Sequence, residues 1–298
     1  MNKKQMGLFW LLGLIWGTSF LWIKIAVQEI SPVILVGFRT LFGALGVGMI
    51  ILVSRSDEFQ WKKVKKNIFP YILLGIFNIA IPWLLISWAE QHIDSGIAAV
   101  LNGTMPLFTI IISPIFVKDD PVTLPKVFGL GIGFMGVVIL LSPTIHEGFT
   151  NNVLGQIAML AASLSYAASA VFAKKNSGDL YPKTRTMLQL GIGSLFLWIF
   201  ALLFGQPVSI PRMPLTWIAL LWLGLLGSCV AYIIYFYLLP RIGPTRMSMV
   251  TYIPPLVAVI LGVVLLHENF YWQSIIGSIL ILSGIMIVNI KGKSLKKA

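Results

Sequence analysis

Residues 16–24, Trp-Gly-Thr-Ser-Phe-Leu-Trp-Ile-Lys, realign 150 residues later with residues 166–174, Tyr-Ala-Ala-Ser-Ala-Val-Phe-Ala-Lys, and the register holds roughly to the C-terminus. The strongest self-match has a constant offset of 149: it pairs Gly75 with Gly224, Trp88 with Tyr237, Pro106 with Pro255 and Asp119 with Glu268. After one deletion, Gly129 and Gly136 match Gly277 and Gly284. A chance likeness between two apolar stretches would not keep proline and glycine in register. Each copy holds five apolar stretches, at 7–27, 32–53, 68–88, 95–117 and 124–142 in the first and 153–173, 185–204, 215–239, 247–266 and 272–290 in the second. Each is long enough to cross a hydrocarbon layer of ~30 Å, which takes about 20 helical residues. Five is odd, so the second copy enters a bilayer upside down relative to the first. The expected fold is therefore all-α and polytopic, with ten transmembrane helices as two inverted five-helix repeats, residues 1–146 and 147–298.

Composition supports the lipid environment. With 57% hydrophobic and 11% charged residues, the chain has too little polar surface to cover a water-soluble globule of 298 residues. The first span follows Lys3-Lys4 but is longer than a signal-peptide core and lacks a small-residue cleavage motif, so a retained helix is expected. Cys229 is the single cysteine, which excludes an intramolecular disulfide. The net charge of +12 does not point to nucleic acid, because the basic residues are scattered among short connections. They report orientation instead. With a cytoplasmic N-terminus, 19 Lys and Arg residues lie on the inner side and Arg212 alone in an outer connection, which places both termini in the cytoplasm and the chain in the cytoplasmic membrane. The bias also swaps sides between the copies. The connection after span 2 is rich in Lys while its counterpart after span 7 has only Arg212, as inversion requires.

The order and spacing of several short motifs resemble the EamA-type drug/metabolite transporters over about residues 7–290. These are Trp16-Gly17 in helix 1, Phe38-Arg39 in helix 2, a proline in helices 4 and 9 (Pro106, Pro255), and an acid followed by a Gly-rich helix (Asp119, then Gly129 to Gly136; Glu268, then Gly277 to Gly284). The first copy departs from the family pattern with Lys118-Asp119-Asp120 where Gly-Glu is usual. The resemblance implies a ten-helix carrier that exports amino acids, metabolites or toxic compounds, or exchanges sugar phosphates. It also implies that helices 5 and 10 stand outside the substrate path.

The residues themselves single out Arg39, about seven residues into span 2. A permanent cation at that depth costs several kcal/mol unless it meets water, an anion or carbonyls. It is either a counter-ion for a substrate carboxylate, a gate partner of Glu90 or Asp94 at the outer rim, or a structural or snorkelling side chain. Lys24, near the outer end of span 1, is explained by snorkelling. Pro106 and Pro254-Pro255 remove backbone donors at matched points of spans 4 and 9, and such paired breaks point to a carrier's midplane site, with a packing kink as the alternative. Near the same depth lie Trp16, Ser19, Asn78, Trp83, Asn102, Tyr166, Ser169, Ser228, Tyr232, Tyr235 and Tyr252. Ser228, Tyr232 and Tyr235 recur at i, i+4 and i+7 on one helix face. An aromatic, hydroxyl- and amide-lined cleft suits a small amphipathic solute. No Asp or Glu sits deep within a span; Glu90, Asp94, His92, His267 and Glu268 fall at the rim, so coupling to protons is open. The glycines of spans 5 and 10 signal close packing, and Gly129 to Gly133 is a GxxxG that can also form a dimer face, leaving monomer or weak homodimer.

Neither a catalytic constellation nor HExxH, GxSxG or Walker A is present, which sets aside an intramembrane enzyme and a nucleotide-driven pump; no cofactor or metal is expected. A channel would not need two inverted copies with matched breaks. The expected partners are a small-molecule substrate and the lipid bilayer.

Overall fold

The computed structural model describes residues 2–54, 61–116, 123–145, 151–176, 180–204, 210–242, 247, 249–269 and 271–288. Asp119 and Asp120, and the basic residues Arg55, Lys118, Arg246, Lys291, Lys293, Lys296 and Lys297, lie outside them. The described residues form helices α1 (Lys3–Ala26), α2 (Pro32–Val53), α3 (Trp61–Leu74, continued by Gly75–Ala80 and Ile81–Ala89), α4 (Ser95–Asn102 and Met105–Phe116) and α5 (Leu124–Ile145). Then come α6 (Asn151–Asn176), α7 (Pro182–Leu203), α8 (Pro214–Leu221, Trp222–Val230 and Ala231–Ile242), α9 (Met249–Tyr252 and Ile253–Leu266) and α10 (Trp272–Val288). Eight helical runs are long and apolar enough to cross a bilayer and two shorter apolar helices, Val250–Leu266 and Trp272–Val288, complete the set, so the chain is a polytopic membrane protein.

Local chemistry sets the helix boundaries. Asn2 and Gln5 exchange backbone hydrogen bonds in a capping box at the start of α1. Ser31 caps α2, whose first residue is Pro32, and Pro182 and Pro214 open α7 and α8 where a missing donor is harmless. Glu29, between α1 and α2, accepts from the Arg212 and Met213 amides and so caps α8 from a distance. α9 ends at His267, whose φ of 55° places it in the left-handed region.

Close helix contacts recur in pairs. A Cβ on Gly75 would meet the Gln189 carbonyl oxygen at 3.1 Å and Ile192 at 2.7 Å; one on Gly224 would meet the Arg39 carbonyl oxygen at 3.2 Å and Phe42 at 2.6 Å. The α3–α7 contact thus repeats as the α8–α2 contact with every participant shifted by 149 or 150 residues. In the same way Gly129 lies against the Gly284 carbonyl and Gly136 against that of Gly277, which joins α5 to α10. Only glycine allows backbones this close. Gly133 in turn packs on Leu107 of α4. The GxxxG of α5 therefore packs inside the molecule, against α10 and α4.

Two interruptions match as well. Gly75–Ala80 in α3 and Trp222–Val230 in α8 are π-helical. The Gly103-Thr104 turn in α4 corresponds to the 3-10 turn Met249–Tyr252 that opens α9. At the first, Ser163 of α6 donates to the Leu101 carbonyl at 3.0 Å and more weakly to that of Asn102 at 3.4 Å, so the Asn102 carbonyl, which Pro106 leaves without its helical donor, is met by protein.

Candidate substrate cavity

The Arg39 side chain crosses from α2 to the π-helical segment of α8. Gly227 borders it: a Cβ there would make ordinary contact with the guanidinium at 3.9 Å and a tighter one with Ser19 Oγ at 3.3 Å. Its guanidinium lies over the Trp83 ring at 3.8 Å and Nε donates to Ser228 Oγ at 3.4 Å, the long limit of a hydrogen bond. Tyr166, Tyr232 and Glu90 are within its electrostatic reach. Arg39 is only 6% exposed. A cation–π contact contributes up to ~2 kcal/mol, and a charge-assisted hydrogen bond stretched to the long limit about 1.5 kcal/mol or less, against a desolvation cost of several kcal/mol. The guanidinium is therefore under-compensated where it sits. Its five donors in a planar fork suit a carboxylate.

The ring cluster continues from there. Tyr166 and Trp83 are neighbours, and Trp16 packs on Tyr232 and Tyr235 with centroids 6.3 and 6.0 Å apart. The face bearing Ser228, Tyr232 and Tyr235 thus points toward α1 and α2, as their spacing predicts. Asn78 Nδ2 donates to Gln189 Oε1 at 3.0 Å. Gln189 is the repeat counterpart of Arg39, and Asn78 that of Gly227, so this amide pair occupies the place that the arginine fills in the other half. Arg39, Trp83, Ser228, Tyr166 and Tyr232 form one group, flanked by Ser19 and by Trp16 and Tyr235. Ser19 donates to the Ile15 carbonyl and is buried, which makes it a packing residue in this conformation. Asn102 keeps a buried side-chain oxygen without a partner next to the α4 break. Ser169 is buried on α6, Tyr252 half-buried at the α9 turn, and Pro254 and Pro255 buried in the first turn that follows it.

The rim differs from its sequence reading. Glu90 is 0% exposed rather than solvated. Lys24 does not snorkel: its ammonium donates to the Glu90 and Ile93 carbonyl oxygens at 2.7 and 2.8 Å, closing the C-terminal end of α3. Glu268 caps α4 instead of facing water, with Oε1 accepting from Ser95 N at 2.8 Å and Oε2 from Ser95 Oγ at 2.9 Å. Asp94 interacts electrostatically with Glu268 and Lys24, and burial lifts its carboxyl above the ordinary value. Arg39 senses Glu90 rather than Asp94. Sequence reasoning did not foresee the roles of Gln189, Lys24 and Glu268. Gln189 left a signal, since it aligns with the buried arginine across the repeat.

At the far end, nearer the basic connections, a groove of ≈ 250 Å³ lies between α2, α7 and α8, lined by Val47, Lys183, Thr186, Phe236 and Tyr237 among others. None of the residues around Arg39 lines it. The two ends of the bundle therefore differ: Lys24 and Glu268 tie helix ends together at one, and the groove lies at the other.

The sequence model of the EamA-like transporter family matches this chain twice, over residues 4–142 and 153–290. An uncharacterized transporter, YoaV, of Bacillus subtilis is 27% identical over 278 residues, which are 92% of both chains. An uncharacterized transporter of Archaeoglobus fulgidus is 28% identical, covering 92% of this chain and 94% of its own. The uncharacterized inner membrane transporter YedA of Escherichia coli is 28% identical over 86% of this chain and 81% of its own. A crystal structure of a protein 18% identical superposes with a TM-score of 0.67 over 96% of each chain, which shows a shared fold.

Proposed function

Because the chain belongs to the EamA-like transporter family, we propose that it is a secondary carrier that moves a small amphipathic solute, such as an amino acid, across the cytoplasmic membrane by alternating access, with export as the direction. Ten transmembrane helices work as two inverted repeats, residues 1–146 and 147–298, with both termini cytoplasmic. The double match of the family model, the glycine contacts that recur at a shift of 149 or 150 residues and the charge bias that swaps sides support this organisation. The α1–α4 group rocks against α6–α9, while α5 and α10 pair through glycine outside the path and the molecule acts as a monomer or at most a weak homodimer.

One observation carries the substrate assignment: Arg39 is a buried cation that the surrounding protein does not pair with a bonded carboxylate, and it sits among Trp83, Tyr166 and Tyr232. An anionic group bound there relieves the arginine's desolvation, and the rings take the apolar part. The remaining residues of the cavity, Trp16, Ser19, Asn78, Asn102, Ser169, Ser228, Tyr235 and Tyr252, contribute shape and hydrogen bonds, and Pro106, Pro254 and Pro255 mark the hinges of α4 and α9. Arg39→Ala and Asn102→Ala in proteoliposomes test the reading. The arginine variant should insert normally and lose roughly 10–100-fold in transport rate, the loss of a charge-assisted contact of about 1.5–3 kcal/mol. Wild-type rates in both variants would remove these residues from the mechanism.

A further inference from the structure

Glu90 follows the last residue of α3, is fully buried, and has both carboxyl oxygens without a hydrogen-bond partner. The nearest ammonium does not supply one, because Lys24 spends its two hydrogen bonds on backbone carbonyls. The charged groups that face Glu90 are Lys24 on α1, Glu268 in the α9–α10 connection and Arg39 on α2, with Asp94 facing Glu268 and Lys24 in turn. α6 touches this end through Gly155, which lies by the Ala89 carbonyl and His92, while its charged residues, Lys174 and Lys175, stand at the opposite end. His92 packs its ring on Trp88.

An unbonded carboxylate out of water costs several kcal/mol, while the protonated acid costs far less. Burial pushes the Glu90 carboxyl well above the usual carboxylate range against the pull of Lys24, and the like charge of Glu268 adds to the rise. Arg39 and Glu90 thus form a cation and an acid that interact electrostatically with no hydrogen bond joining them. A ligand carrying both a carboxylate and an ammonium complements that pair better than a ligand carrying either alone.

We propose that Glu90 exchanges a proton for the ammonium group of a zwitterionic substrate whose carboxylate sits on Arg39, which makes the carrier a proton antiporter of amino-acid-like solutes. The proposal rests on the carrier reading above and narrows its substrate. When the substrate binds, the Glu90 O–H bond breaks, the electron pair stays on the carboxylate and the proton leaves to water on the side to which the site is open. When the substrate departs on the other side, Glu90 takes a proton from the water there. Ammonium and proton exclude each other at one carboxylate, so each crossing carries one or the other. One proton moves opposite each neutral zwitterion, and the cycle carries one positive charge.

The test uses the full chain, with the twenty proteinogenic L-amino acids as probes. In weakly buffered detergent solution, binding of an accepted amino acid to the wild-type protein should release about one proton per molecule bound, and Glu90→Gln should release none. In proteoliposomes an imposed pH gradient should drive accumulation by the wild type, while Glu90→Gln should lose that drive. Should Glu90→Gln fail to fold, Glu90→Asp, which keeps the acid, should still release a proton on binding. Binding without proton release, or a Glu90→Gln protein that still accumulates substrate under a pH gradient, overturns the assignment. If no amino acid binds while another class of solute shows counterflow, the zwitterion proposal falls and the carrier reading stands.

Discussion

Arg39 and Glu90 are the two residues whose environments are least settled by their own neighbours, and both were named in advance for different reasons. Arg39 was legible because a guanidinium inside an apolar span is costly wherever it points. Glu90 was read as a rim residue because sequence gives its distance along α3 and not the way Lys24, Ser95 and Glu268 close over it. Two predictions belong to this scale. Arg39→Lys should restore little of the transport lost in Arg39→Ala, because an ammonium cannot fork onto a carboxylate and does not reproduce the guanidinium's place over Trp83, 3.8 Å from the ring centroid; uptake rates of the two variants measure this. The second concerns pH. A carboxyl whose folded pKa is raised binds its proton more tightly in the folded state, so its stabilising effect is complete below the unfolded value of ~4.3 and is lost as pH rises toward the folded value. The melting temperature of the detergent-solubilised protein should therefore fall with rising pH across that window, and Glu90→Gln should flatten the slope. An unchanged slope would mean that Glu90 does not hold a proton in the folded protein.

Among the elements, boundaries followed the apolar stretches closely, with instructive exceptions. α3 starts at Trp61, ahead of its apolar stretch, because Lys62, Lys63 and Lys65 can extend a helix beyond the hydrocarbon where hydropathy alone sees a connection. The prolines announced a break in α4 and α9, but the π-helical segments of α3 and α8 carry no proline within them; they follow from local close packing, including Gly75 and Gly224 against neighbouring helices, which is a tertiary fact. The partner of a helix end is equally illegible locally. Glu268 had no visible target until α9 and α4 were side by side. Glu268→Ala should free the α4 N-terminus and cost about 1–2 kcal/mol, seen as a lower melting temperature, whereas Glu268→Gln should keep part of the cap. At the α5–α10 seam, Gly284→Leu pushes a side chain into the Gly129 carbonyl and the Gly133 backbone and should destabilise by about 1–3 kcal/mol or more. Gly131 has open space beside it, so Gly131→Leu should leave the melting temperature within error; equal effects at both positions would contradict the assigned seam.

For the whole molecule, repetition was the most legible property and its imperfections the most useful. Faithful positions such as Gly75 with Gly224 make equivalent helix contacts in both halves. Unfaithful ones set the cavity's character: where one half places Arg39 beside Gly227 and Ser228, the other places Gln189 against Asn78. The carrier proposed above combines a shared frame with an asymmetric site, the Lys24 and Glu268 hydrogen bonds lying at one end and the groove at the other. Under the proposed alternating access the site opens to one side at a time, so a solute on the far side speeds the return of the site rather than competing for a continuous pore. The measurement that tests this most directly is counterflow of a radiolabelled ligand, identified by thermal shift of the purified protein, in proteoliposomes preloaded with the same unlabelled ligand. Alternating access predicts several-fold faster and transient accumulation of label with the unlabelled solute inside. Equal or slower entry with the solute inside would contradict it and leave a channel as the account of this fold.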